Sequence, residues 1–206
     1  MAEAAGRLGL RHVVLTSVAR DDLGDGGSSH FAASVRAVRR RLPAAKVEVL
    51  TPDFRGDPAA LAAVLAAAPD VFNHNIETVG RLFPRVRAQG SYARSLRVLA
   101  EVKRQRPEQT TKSGLMVGLG ETDAEVGEVL GDLRVVGVDI VTIGQYLRPT
   151  RAHAPVERYL PPESFHRLQE DARLLGFPIV YAGVFVRSSF NAEEVFRDGH
   201  AAREPA

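Results

Sequence analysis

Cysteine is absent from all 206 residues. With no thiol there is no disulfide framework, no thiolate-ligated zinc and no cysteine nucleophile, and an iron–sulfur cluster lacks the four thiolates that usually hold it. No apolar run approaches the roughly 18 residues of a membrane span. The first ten residues, MAEAAGRLGL, lack the basic start and apolar stretch of a secretory signal. An excess of one charge is missing too: 27 Lys and Arg against 25 Asp and Glu leave a formal +2, which is no nucleic-acid signature. Against these absences, 45% hydrophobic and 25% charged residues describe a soluble globular protein, expected in the cytoplasm. The run Arg39-Arg40-Arg41 after Arg36 reads first as the solvated face of a helix and second as a contact for an acidic partner.

What is present is a repeating rhythm of short β-rich runs, turns and helical patterns, which predicts a parallel sheet. The runs are His12 to Val18, Lys46 to Leu50, Asp70 to Asn73, Ser113 to Gly118, Asp139 to Ile143 and Pro178 to Phe185. Asp57-Pro58 has the form of a cap followed by a first-turn proline, and Thr122 with Glu125 makes a capping box. Val126, Leu130 and Leu133 form one apolar stripe; Phe165, Leu168, Ala172 and Leu175 form another, behind Pro161-Pro162. The rhythm fits an open doubly wound sheet or a barrel, and periodicity does not choose between them. In both, chemistry gathers at the carboxyl ends of strands.

Unusual polar residues cluster at those ends: Thr16-Ser17 leading to Arg20-Asp21-Asp22 and Asp25, then Asp53 and Arg55, Asn73-His74-Asn75-Ile76-Glu77-Thr78, Lys112-Ser113, Gly118-Leu119-Gly120-Glu121 and Gln145 to Pro149. Singly, most have ordinary explanations. Aspartates beside glycines are turn chemistry, and Asp53 with Arg55 reads equally as a local ion pair. His74 reads as a hydrogen-bonded histidine at a strand end, and the six histidines show no zinc-like spacing. Gly118-x-Gly120 lacks the third glycine of a dinucleotide fingerprint. Lys112 is either a flanking lysine or an amine nucleophile of a barrel enzyme.

Taken in order, HVVLTSVARDDLGDGGSSHFA, PDFRGD, DVFNHNIETV, TKSGLMVGLGET, IGQYLRPTRAHAPVERY and VRSSF closely resemble the lipoyl synthase family of radical S-adenosylmethionine enzymes, from about Ala4 to Phe190. The resemblance implies a partial (β/α)6 barrel lacking its first strand over residues 1–160, a helix–strand extension over 161–197 and a tail over 198–206. It implies two four-iron clusters and S-adenosylmethionine as cofactors, an octanoylated lipoyl carrier domain as substrate, and an electron donor such as ferredoxin or flavodoxin. Two sulfur atoms would enter the octanoyl chain, with cofactors carrying the hard chemistry and protein supplying position.

By the same resemblance, Asn73, Asn75, Glu77, Lys112, Ser113, Gly118 and Gly120 are expected around S-adenosylmethionine. Arg148, Arg151 and His153 are expected toward the acyl-lysine or its carrier. Ser189, with Ser188 as alternative, is expected to give an oxygen ligand to the sacrificed cluster, helped by Arg187; Phe190 stands where the family has tyrosine. The family's cysteine motifs fall upstream of Met1, so the chain is expected to be a carboxyl-terminal fragment, inactive alone. Residues 1–10 are expected to end the helix after the missing strand, leaving His12 to Val18 as an exposed edge prone to association. The alternatives are a non-catalytic relative that binds the carrier domain, and a metal-independent enzyme built on Lys112.

Overall fold

A computed structural model describes residues 1–189 of the chain. The expectations for Phe190, the end of the extension and the tail 198–206 lie outside the described residues. In order, the elements are α1 (Ala2–Arg7), β1 (His12–Thr16), α2 (Ser28–Arg41), β2 (Lys46–Leu50), α3 (Pro58–Leu65), β3 (Val71–Asn73), α4 (Phe83–Val86), α5 (Tyr92–Gln105), β4 (Thr110–Val117), α6 (Asp123–Val135), β5 (Ile140–Gln145), α7 (Pro162–Leu174) and β6 (Ile179–Gly183). All six strands run parallel in the order β1 to β6.

That order settles what periodicity left open. Right-handed crossovers that always step the same way lay every helix on one face of the sheet, whereas a doubly wound sheet must reverse at a switch point. No reversal occurs here, so the winding is that of a barrel. One face of the strands packs on helices through Val13, Leu15, Val47, Val49 and Phe72. A second cluster under α6 and α7 joins Leu115, Val117, Val141 and Ile143 to Val126, Leu130, Leu133, Phe165 and Leu168. Helix α7 and strand β6 extend this same sheet, because β6 pairs with β5 from Ile140–Ile179 to Gly144–Gly183.

Local chemistry forms the elements as written in the chain. Asp57 accepts from the Ala59 amide ahead of Pro58, and the Thr122–Glu125 capping box is closed in both directions. Most strand boundaries shift by one to three residues from the sequence reading, with β1 ending at Thr16, β5 at Gln145 and β6 at Gly183, and two differences bear on the site and the core. Strand β4 begins at Thr110, so Lys112 lies within it instead of at its start. Leu175 is the α7 C-cap and is 44% exposed, so the α7 stripe ends at Ala172. Among the described residues no helix is long and apolar enough to cross a membrane.

Candidate functional site

Beyond β3 the chain does not turn away: residues 74–77 continue alongside β4. The His74 amide donates to the Lys112 carbonyl (3.0 Å), the Glu77 amide to Gly114 (2.9 Å), and the Met116 amide to Glu77 (2.8 Å). The Ser113 hydroxyl accepts from the Ile76 amide (3.0 Å), and the Asn75 carboxamide oxygen accepts from the Gly114 amide (3.1 Å). Glu77 is thereby held at φ +68°, a left-handed conformation costing a residue with a Cβ about 1–2 kcal/mol. Such strain persists where surrounding bonds over-determine the backbone, and it concentrates at functional sites.

Asn75 and Glu77 divide two cavities. One, about 190 Å³, is bounded by Gly114, Met116, Thr142, Gly144, Arg187 and Ser188. The other, about 320 Å³, is bounded by Thr16, Ser17, Thr51, His74 and Arg87. Burial pushes the Glu77 carboxyl above its ordinary range, against the Arg87 charge and the Asn75 amide, which favour ionisation. The cavities therefore offer one carboxylate, one amide, hydroxyls, a thioether and guanidinium groups within a small volume.

Asn73 and Lys112 are expected beside these residues but sit deeper, in a polar cluster built on Glu48. The Lys112 ammonium is 3.1 Å from one Glu48 oxygen and 3.2 Å from the other, with side-chain exposures of 0% and 2%. The Asn73 amide donates to Glu48 at 2.8 Å, and His12 Nε2 lies 3.6 Å away. Burial pushes the Glu48 carboxyl up, but His12, Lys112 and Asn73 outweigh it and hold the carboxyl below its usual range. An amine nucleophile needs access to its substrate; the Lys112 side chain is wholly buried against Glu48, and the Schiff-base alternative falls. Ser113, the next residue along β4, projects to the opposite face of the strand.

The other expected residues divide. Gly118 (φ +102°) and Gly120 (φ +100°) make the turn from β4 to α6, and neither lines the two cavities. The Gly118 carbonyl accepts from Glu157 (2.8 Å), and a Cβ at Gly118 would lie 2.5 Å from the Arg158 carbonyl. Protein backbone therefore covers this glycine, while Glu121 accepts from the Gly118 and Leu119 amides. Arg148 donates to the His153 carbonyl (2.9 Å) and to the Arg151 carbonyl, and His153 pairs with the Thr150 hydroxyl, all on the exposed loop after β5. Ser188 lines the smaller cavity, 3.5 Å from the Asn75 amide nitrogen, whereas Ser189 is exposed. Arg187 donates to the Val184 and Val186 carbonyls. Asp53 pairs with Arg94 (3.2 Å) and not with the Arg55 side chain, which turns to Asp21.

His74 is a hydrogen-bonded histidine: Nδ1 lies 3.0 Å from the Thr51 carbonyl and Nε2 3.1 Å from the Ser95 hydroxyl. A carbonyl only accepts, so Nδ1 carries the proton and neutral Nε2 accepts from Ser95. Burial pulls its pKa down to about 4. Sequence reading missed Glu48, although a lone acid inside the apolar run KVEVL is a visible signal. It also missed Arg87, which nothing in the local sequence separates from its neighbours.

The model of the Radical SAM superfamily matches residues 1–133. Lipoyl synthase of Thermus thermophilus is 57% identical over 95% of this chain and 61% of its own length. That of Nitratidesulfovibrio vulgaris is 56% identical over 95% of this chain and 65% of its own length. That of Caldanaerobacter subterraneus is 55% identical over 94% of this chain and 68% of its own length. The chain thus spans somewhat less than two thirds of the first two relatives. Among solved structures, methylornithine synthase aligns with a TM-score of 0.64 at 15% identity, covering 100% of this chain and 72% of that one, a likeness of fold. Identity above one half along nearly the whole chain goes beyond a shared barrel, and the chain belongs to the lipoyl synthase family of the radical SAM superfamily.

Proposed function

We propose that these residues form the S-adenosylmethionine-binding and acyl-chain-receiving portion of a lipoyl synthase, which inserts two sulfur atoms into the octanoyl chain of an octanoyl-lysyl carrier domain. The observation that carries the reading is the pairing of Asn75 and Glu77 between two cavities, with Ser188 and Arg187 on the facing wall. A ribose diol presents two hydroxyl donors that a buried carboxylate accepts, and a methionyl group presents a carboxylate and an ammonium that guanidinium and polar oxygens hold. Gly114 and Gly144 let the Asn75 side chain and the Val186 carbonyl pack closely on the strands at the cavity wall, since Cβ atoms there would collide with them. Asn73 and Lys112 act one layer below by fixing Glu48. Arg148, Arg151 and His153 face the incoming acyl-lysine from the rim, and Ser188 is nearer the cavity than Ser189 for any ligand role.

Bound S-adenosylmethionine supplies radical chemistry when reduced by a four-iron cluster. The side chains here do not fit such clusters by themselves. There is no cysteine, and among the described residues no group of three or more His, Asp or Glu is arranged to hold a metal. Thiolates for the two clusters the family uses come from outside these 206 residues, and a ferredoxin- or flavodoxin-type protein supplies electrons. The chain by itself is therefore expected to be inactive while retaining the small-molecule site.

Isothermal titration of the chain with S-adenosylmethionine tests the reading. Hydrogen bonds to a charged group are worth about 1.5–3 kcal/mol, so Glu77→Gln should weaken binding roughly 10- to 150-fold. Absence of binding by the unsubstituted chain, or equal binding by the variant, overturns it.

A further inference from the structure

Strand β5 presents two faces. Val141 and Ile143 pack toward the helices, so Thr142 and Gly144 project to the inner face, where both border the cavity of about 190 Å³. Thr142 pairs in register with Gly114 of β4, and on the other side of Gly114 stands Asn75, whose carboxamide oxygen accepts from the Gly114 amide at 3.1 Å. A Cβ at Gly114 would lie 2.7 Å from Asn75 Oδ1 and 3.2 Å from Thr142 Oγ1, so the two polar side chains crowd this glycine from its two sides. The other polar side chains on this cavity have partners: Asn75 bonds to Gly114 and Ser188, Glu77 faces the Asn75 amide, and Arg187 holds backbone carbonyls. Thr142 does not. It is 2% exposed, and its hydroxyl has no hydrogen-bond partner among the described residues. The Thr78 hydroxyl and the Asn73 carboxamide oxygen are buried without partners too, but neither residue borders either cavity. A hydroxyl taken out of water and left unpaired is a standing cost to the fold.

We infer that Thr142 is a binding residue for the adenosyl portion of S-adenosylmethionine, so that the smaller cavity takes the nucleoside and not the acyl chain. This rests on the S-adenosylmethionine reading above and narrows it to one side of Glu77. A hydroxyl both donates and accepts. An alkyl chain in this cavity leaves it unpaired, whereas a nucleoside offers ring nitrogens, an amine and ribose hydroxyls. The cavity runs from Glu77 past Gly114 to Thr142, and a nucleoside whose ribose meets Glu77 lies across β4 toward the Thr142 hydroxyl. That hydroxyl is already out of water in the unliganded chain, so the hydrogen bond formed on binding is gained without a further desolvation cost.

The test is isothermal titration of the unsubstituted chain, Thr142→Val and Thr142→Ser with three probes: S-adenosylmethionine, 5′-methylthioadenosine and an octanoyl-lysyl peptide. Thr142→Val keeps the branched shape and removes the hydroxyl. It should weaken S-adenosylmethionine and 5′-methylthioadenosine alike, by about tenfold, because both carry the nucleoside. Thr142→Ser keeps the hydroxyl and should retain most of the affinity, and neither variant should lose affinity for the peptide. Thermal unfolding without ligand separates a binding hydroxyl from a structural one: Thr142→Val removes an unpaired polar group and should leave the midpoint unchanged or raise it by about 2–4 °C. Equal nucleoside binding by Thr142→Val, a loss confined to the peptide, or a midpoint lowered by more than about 4 °C overturns the inference, while S-adenosylmethionine binding by the unsubstituted chain keeps the broader reading. Absence of that binding overturns both.

Discussion

Replacing Lys112 with methionine keeps the length and apolar stem of the side chain but removes the cation that faces Glu48 at 3.1 Å. Both partners are fully buried, and removing one member of a buried pair leaves the other uncompensated, which costs about 3–5 kcal/mol. Two contacts soften the loss without abolishing it: Asn73 still donates to Glu48, and His12 lies 3.6 Å away. Set against a total stability of roughly 5–15 kcal/mol, about 3 kcal/mol is a large share. The pH dependence identifies the cause. In the unsubstituted chain Glu48 is held below the usual carboxylate range, so its contribution is present above that range and is lost on acidification. In Lys112→Met, burial no longer meets that cation, the carboxyl rises, and protonation relieves the penalty. Urea unfolding of the two proteins should therefore show the widest gap at neutral pH, narrowing toward about pH 5. Glu48→Gln/Lys112→Met removes both charges and should recover to within about 1.5 kcal/mol of the unsubstituted chain. A Lys112→Met loss under about 1 kcal/mol, or a double variant as unstable as the sum of the singles, would refute the reasoning.

His74 gives a second pH signature. Its folded pKa of about 4 lies below the ordinary 6.5, so the stability held by the neutral ring is present above 6.5 and lost as pH falls toward 4. The loss should reach about 2 kcal/mol by pH 5, and unfolding curves of His74→Gln should lack this component. Gly118→Ala places a Cβ at φ +102° and 2.5 Å from a carbonyl oxygen, and should lower stability by about 2–3 kcal/mol in thermal unfolding. Gly127→Ala and Gly131→Ala in α6 meet open space instead, and each should raise stability by about 0.5–1 kcal/mol. Strand β1 forms one edge of the described sheet beside a cavity of about 300 Å³ lined by Leu15, Val18, Leu23 and Phe31. Sedimentation velocity should show concentration-dependent association of the chain, and a monodisperse monomer would contradict the edge argument.

The polar residues at the strand ends were legible as a set because apolar runs end abruptly in hydrogen-bonding side chains. Which of them share a cavity was not. Asn73 and Asn75 look equivalent in NHNIE, yet β3 ends at Asn73, whose amide goes to Glu48, while Asn75 lies beyond it against Gly114 and Ser188. Lys112 reads as a flanking residue because its partner is 64 positions earlier in the chain. Gly118 reads as a glycine that lets a ligand approach, and what approaches is the Gln145 side chain together with the backbone of Arg158. In each case the deciding neighbour is remote in sequence, so no local pattern carries it.

Sequence by itself determined the order of strands and helices, the caps at Asp57 and Thr122, the apolar stripes and the want of thiolate ligands, since these depend on residue type and short-range spacing. Periodicity left open whether the strands wind one way into a barrel, which the family resemblance implied and the strand order bears out; tertiary structure alone decided that Glu48 gathers Lys112 and Asn73 into its floor and that Ser188 faces Asn75 across its mouth. Those outcomes depend on which strands become neighbours and in what register. Parallel pairing sets that through crossovers spanning dozens of residues, a distance over which hydrophobic period and capping chemistry have no reach.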